Sequence, residues 1–143
     1  MSDAPQMNSP RRRGAVAVIA RQGELLVIRR SQLVVAPGAF CFPGGGIESG
    51  ETEQQALVRE LREELQVDVQ PSRRLWSSVT PWQVELAWWQ AVLPHDAVPV
   101  PFPAEVESIH WCTPAEMACL PGLLESNRAF LAALDRNEIH IEF

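Results

Sequence analysis

This sequence lacks the features that would mark it for nucleic acid, for a membrane or for an oxidising compartment. Its 12 basic residues are outnumbered by 18 acidic ones, a net charge of -6 over 143 residues, so no global basic surface exists to attract nucleic acid. Cysteine is scarce. Cys41, Cys112 and Cys119 are odd in number and lack paired metal spacing, which argues against a disulfide framework and fits free thiols in a reducing, cytoplasmic setting. No apolar run approaches the roughly 20 residues of a membrane span. The N-terminal "MSDAPQMNSPRRRG" has no apolar stretch after its arginines, unlike a signal peptide. Internal repeats and low-complexity blocks are missing too.

What is present suits one globular domain. Hydrophobic residues make up 46% of the chain, enough for a core at this length. Residues 1–13 are expected to form a flexible leader with a solvated arginine run, and residues 14–143 a single domain. "GAVAVIA" (Gly14–Ala20) and "ELLVIRR" (Glu24–Arg30) are β-branched runs split by "RQG", which predicts a hairpin. A long glycine- and proline-rich segment follows, and a loop of that length inside a domain is usually functional. "TEQQALVRELREEL" has helical periodicity behind Thr52 as its N-cap. Further strands are expected near Arg74–Val79, Val84–Val92 and Ser108–Cys112. The segment between the last two carries prolines that forbid regular structure. Two helices close the chain, "TPAEMACL" and "GLLESNRAFLAALDRN", with "EIHIEF" expected as a last short strand. Irregular alternation of strands and helices predicts a mixed sheet covered by helices.

The helix after Thr52 places Glu60, Glu63 and Glu64 together with no lysine among them. Like charges three and four residues apart destabilise an isolated helix. With about 100° per residue, Leu57, Val58, Leu61 and Leu65 form a buried stripe, and the glutamates fall at its shoulder rather than on the far side. A glutamate face serving solubility alone would occupy the far side. Carboxylates at this shoulder, beside glycines, are placed to converge on a hard cation with oxygen ligands. Arg59 can reach Glu51 across the loop-to-helix corner and hold the carboxylates in place. The glycines of "PGGGIESGE", including Gly44 and Gly45, let main chain approach phosphate closely because no Cβ intervenes.

These residues resemble the Nudix box: a glycine, five residues, a glutamate, seven residues, then Arg-Glu-hydrophobic-x-Glu-Glu-x-Gly-hydrophobic. Gly45, Glu51, Arg59, Glu60, Leu61, Glu63, Glu64 and Val67 all fall on it. Gln66 departs from it, standing where the box has a glycine that commonly ends the helix in a left-handed conformation. The resemblance implies an α/β/α sandwich around a mixed sheet and hydrolysis of a nucleoside diphosphate linked to another group. It implies Mg²⁺ or Mn²⁺ held by Glu60, Glu63, Glu64 and the carbonyl of Gly45, with Arg59 and Glu51 as the orienting pair. A further ligand is expected from a later loop, with Glu105 preferred and Glu107 second. Divalent cations neutralise a pyrophosphate and ease attack by water, whose proton a carboxylate takes; Glu63, Glu60 and Glu105 are the candidates for that base.

Substrate choice lies outside the box. Arg30 at a strand end and Phe42 before Pro43 are candidate substrate contacts, although Phe42 also suits core packing. Adjacent Trp88 and Trp89 must face opposite sides of a strand. By resemblance, hydrolases of oxidised purine triphosphates place an asparagine at the start of the last helix, where this chain has Leu123-Leu124-Glu125 and only later Asn127. ADP-ribose hydrolases carry a proline a strand's length after the box; Pro81 lies near that place without the usual neighbours. The reading favoured is a (d)NTP pyrophosphohydrolase of the mutator type. A nucleoside diphosphate-sugar or ADP-ribose pyrophosphatase is the alternative, and a non-catalytic nucleotide-binding module the next. The expected partner is a small nucleotide, with neither nucleic acid nor membrane, and a homodimer is left open.

Overall fold

In the computed structural model, which describes residues 12–143, the first strand behaves differently from the expected hairpin. Strand β1 (Arg12–Val18) ends at Val18, and two-residue β2 (Ala20–Arg21) turns back on β3 (Glu24–Arg30). Strand β1 instead pairs in parallel with β7 (Val84–Val92) over its whole length. The chain therefore changes sheets at Ile19, and the hairpin shrinks to its distal half. Period-two patterning says which residues share a face, not which strand lies alongside, so the switch left no mark in the sequence. Arg12 and Arg13 open β1, while the rest of the expected leader, residues 1–11, lies outside the described residues.

Two four-stranded sheets result. The mixed one runs β5 (Gly44–Gly46), β1, β7, β6 (Gln70–Val79); the other, antiparallel, joins β2, β3 and β4 (Phe40–Cys41), with β8 (Val106–Cys112) on β3. Alternation along the strands feeds two cores. Ala15, Ala17, Leu26 and Ile28 face helix α1 (Glu53–Leu65) and its stripe of Leu57, Leu61 and Leu65. Val18, Leu25 and Val27 face the other way, onto α2 (Pro114–Ala118) and α3 (Glu125–Asp135) through Met117 and Phe130. The chain is thus an α/β/α arrangement around a mixed sheet. Trp88 and Trp89 divide as adjacent strand residues must: Trp88 is buried in the second core and Trp89 packs against the first.

Helix ends follow their sequence signals. Thr52 and Thr113 each close a capping box, with Gln55 and Glu116 as the reciprocal partners, satisfying main-chain donors that a helix start leaves open. At its exit Gln66 takes the left-handed conformation, φ 58° and ψ 38°, the one the missing glycine would supply. The C-terminal "EIHIEF" forms no ladder. Ile139 and Ile141 are buried, but the segment is fastened by side chains: Gln90 Nε2 donates to the Glu142 carbonyl at 2.6 Å, and Arg73 donates to the His140 carbonyl.

Candidate active site

Helix α1 presents its acidic shoulder to β5. Gly45 lies so close to it that a Cβ there would fall within the Glu60 carboxylate, and Gly44, at φ 151°, donates its N–H to Glu64 Oε1 at 3.0 Å. Gly45 is needed for the approach to the helix, and Gly44 for the approach to β1, where a Cβ would meet the Ala15 carbonyl. Oxygens of Glu60, Glu64 and Glu105 lie within 4.8 Å of one another, so the loop before β8 brings its carboxylate to the helix. Glu107 goes elsewhere, to Arg29 at 3.2 Å. Glu63 also stands outside the cluster: its side chain is 48% exposed and meets Arg59 at 3.3 Å. The helical wheel already orders the three: from Glu60, Glu64 lies about 40° toward the leucine stripe and Glu63 about 60° away from it, and their burial follows that order.

Arg59 ties the corner together. Its Nε and Nη2 donate to the two oxygens of Glu51 at 2.7 and 2.9 Å, Nη2 to the Gly46 carbonyl at 2.8 Å, and Nη1 to Glu60 at 2.9 Å. A bidentate guanidinium–carboxylate pair of this kind fixes orientation as well as charge. The hydrogen bond from Arg59, helped by the Glu48 N–H, holds Glu51 well below the usual carboxylate range, at about 2. The cluster behaves oppositely. Burial pushes Glu64 up to about 8 in spite of the Gly44 N–H, and burial raises Glu60 against the pull of Arg59. Carboxylates shifted upward are short of positive charge.

A cleft of about 290 Å³ opens beside β5, lined by Gly44, Gly45 and Gly46, by Arg30 and by Ser126 and Asn127 of α3. Arg30 borders it next to the Cys41 thiol, and its Nε is engaged by the Val35 carbonyl at 2.7 Å. Phe42 reaches the cleft wall, but its ring packs edge-on against Phe130 at 5.4 Å and Trp88 at 6.2 Å. The packing reading therefore holds for that ring. Asn127, nearly buried, accepts from the Phe42 N–H at 2.9 Å.

Two elements of the site escaped the sequence reading. Glu53, at the start of α1, gathers Arg74 at 2.9 Å, Trp89 Nε1 at 2.8 Å and Arg13 at 3.4 Å, tying the helix to β6, β7 and β1. A first-turn acid is a capping signal by default, so nothing marked it as a tether. Ser126 is the other, and beside it Asn127, set after the helix start in the sequence reading, lies in the first turn of α3 and lines the cleft.

A description of the NUDIX domain matches residues 9–134, most of the chain. The chain belongs to the Nudix family. It is 34% identical over 125 residues to a Nudix hydrolase of Deinococcus radiodurans, covering 80% of this chain and 70% of that protein. It is 32% identical to a CTP pyrophosphohydrolase of Escherichia coli, covering 82% and 91%. Among solved structures, the Escherichia coli ORF135 protein superposes with TM-score 0.70 at 26% identity, covering 87% and 89% of the two chains. The MutT protein of Methanosarcina mazei Go1 shares the fold, with TM-score 0.74 at 20% identity over 91% and 96%. This Nudix chain is accordingly a pyrophosphohydrolase of phosphoanhydride bonds acting on small nucleotides, with an acidic cluster able to hold a divalent cation.

Proposed function

We propose that this enzyme is a Mg²⁺-dependent (d)NTP pyrophosphohydrolase that releases a nucleoside monophosphate and pyrophosphate. The observation carrying the reading is the Glu60–Glu64–Glu105 cluster set against the glycines that also line the cleft. The likeness to a CTP pyrophosphohydrolase over most of both chains supports a triphosphate.

The residues fit a divalent cation. Three carboxylate oxygens converge, two of the groups are raised by burial, and hard oxygen donors are what Mg²⁺ takes. Glu60, Glu64 and Glu105 would hold it, with the Gly45 carbonyl as a further donor. When bound, such an ion neutralises phosphate charge and activates water for attack. The protein's own groups supply the rest. Arg59 fixes Glu60 and the Gly44 N–H fixes Glu64, so neither carboxylate must be ordered when substrate arrives. Glycine main chain lets the phosphates lie close to β5, and Arg30 borders the cleft as a cation for them. Glu63, outside the cluster with Oε1 on Arg59 Nη1 at 3.3 Å, takes the proton of the attacking water.

Mass spectrometry of products formed in heavy-oxygen water tests this. The expected products are monophosphate and pyrophosphate, with solvent oxygen on one of them and turnover abolished by chelator. Orthophosphate as the first product, or turnover undiminished in excess chelator, would overturn it. Cleavage confined to nucleotide sugars would move the enzyme to the diphosphate-sugar branch.

A further inference from the structure

The segment before β8 reads Pro-Val-Pro-Phe-Pro from Pro99 to Pro103. Proline has no N–H, holds its own φ near about -65° and biases the preceding residue away from helix. Alternating prolines therefore leave donors only at Val100 and Phe102, and those two are the ones used. The Val100 N–H donates to the Leu65 carbonyl at 2.8 Å and the Phe102 N–H to the Glu64 carbonyl at 2.9 Å. Both acceptors lie in the last turn of α1, where carbonyls lack a partner within the helix. Gln66 adds a third tie, Nε2 to the Val100 carbonyl at 3.3 Å. Past the prolines, the Phe102 carbonyl accepts from Glu105 and Val106 N–H groups at 2.9 and 2.8 Å. Ser31 fastens the far side, its N–H to the Glu105 carbonyl at 3.0 Å and its hydroxyl to Ala104 at 2.9 Å.

We propose that Pro99–Pro103 is a positioning strap, stiffened at Pro101, that sets the Glu105 carboxylate against Glu60 and Glu64. The proposal rests on reading those three carboxylates as a divalent-cation site. Glu60 and Glu64 share one rigid helix, so their separation is fixed by α1. Glu105 alone comes from a loop, and like charge drives it outward. A stiff strap bonded to the helix at Glu64 itself keeps Glu105 near and removes the ordering that cation binding would otherwise require. The side chains between the prolines are not packed, since Val100 and Phe102 are exposed while Pro99 and Pro101 are half-buried.

The test is Mn²⁺ binding to the full chain, read from the electron paramagnetic resonance of the free ion, in wild type, Pro101→Gly, Glu105→Gln and the double variant. Pro101→Gly is expected to weaken binding roughly tenfold, the low end of what outer contacts contribute to a metal site, and to have no further effect in the Glu105→Gln background. Undiminished binding in folded Pro101→Gly, or an equal loss in both backgrounds, would overturn the strap. Pro101→Ala, less mobile than glycine, should fall between; it serves if the glycine variant does not fold, and undiminished binding there counts equally against the strap. Glu60→Gln separates the two readings. Wild-type binding in that variant defeats the cation site itself, whereas lost binding there beside intact binding in Pro101→Gly defeats the strap alone.

Discussion

Beneath α3, Trp88 stacks on Phe130 at 4.8 Å, and Trp76 and Phe42 close around them edge-on or tilted. On the other side of the sheets, Glu60 and Glu64 of α1 are buried next to its leucines. The first layer is complete by itself, since aromatic contacts need nothing from solvent and Trp88 Nε1 has Ser78 at 2.9 Å. The second carries desolvated like charges, with Arg59, the Gly44 N–H and Arg30 as counterweights. Both layers bury an apolar core, but the α1 layer also holds a charge deficit that a bound cation would offset. The split matches the general observation that perturbed acids gather at functional sites.

The comparison breaks if the aromatic layer proves dispensable. Phe130→Ala is expected to destabilise by roughly 3–5 kcal/mol, as large aromatic truncations in cores do, and to leave Mn²⁺ binding unchanged in the fraction still folded. Chemical denaturation with a parallel Mn²⁺ titration measures both. A loss under about 1 kcal/mol, well below that range, would mean this layer is not the stabilising one.

The α1 layer should respond with the opposite sign. The folded-state value for Glu64, about 8, lies above its ordinary 4.5. Its contribution to stability is therefore fully present below pH 4.5 and is lost as pH climbs toward 8. Glu64→Gln keeps an acceptor for the Gly44 N–H and removes that loss. In chelator at pH 8 the variant is expected to melt above wild type, by roughly 3–5 °C for each kcal/mol relieved. Added Mg²⁺ should invert the order, because only wild type gains from binding, and hydrolysis by the variant should fall by orders of magnitude. Thermal denaturation between pH 5 and 8, with and without Mg²⁺, decides the sign. A lower melting temperature in chelator would show that the Glu64 carboxylate stabilises the metal-free fold.

The smallest effect is expected at the helix exit. Gln66→Gly relieves a left-handed non-glycine residue, worth up to roughly 1 kcal/mol, and gives up the exposed 3.3 Å bond to Val100. A small rise in Tm is expected. An unchanged or lower Tm would show that the bond to Val100 offsets the strain.

Much of this was legible in the chain, and the gaps share a physical origin. Spacing alone placed Glu51 opposite Arg59, because helix geometry and a fixed motif set that distance, whereas Glu105 was preferred to Glu107 by resemblance to the family. Glu63 was grouped with Glu60 and Glu64, although the wheel turns it about 60° away from the leucine stripe; which carboxylates meet Glu105 depends on the loop that brings it in. Gly14–Ala20 had the right pattern for a strand and the wrong partner, as pairing is decided by the rest of the sheet. The prolines after Val98 were read as a barrier to regular structure, which they are. Their use lies in the two donors they leave behind, and that is visible only with the helix carbonyls in place.

The parallel pairing of β1 with β7 also bears on how the molecule is made. Arg12 lies beside Val84 and Val18 beside Gln90, so the ladder closes only after α1 and everything else between them has been gathered into a single loop. Such non-local contacts put the entropic cost of closure ahead of their reward and slow folding. Strand β1 thus waits for β7, made later, and β5, which pairs with β1 through its three glycines, waits with it. The glycine wall of the cleft is therefore built on a contact between distant parts of the chain.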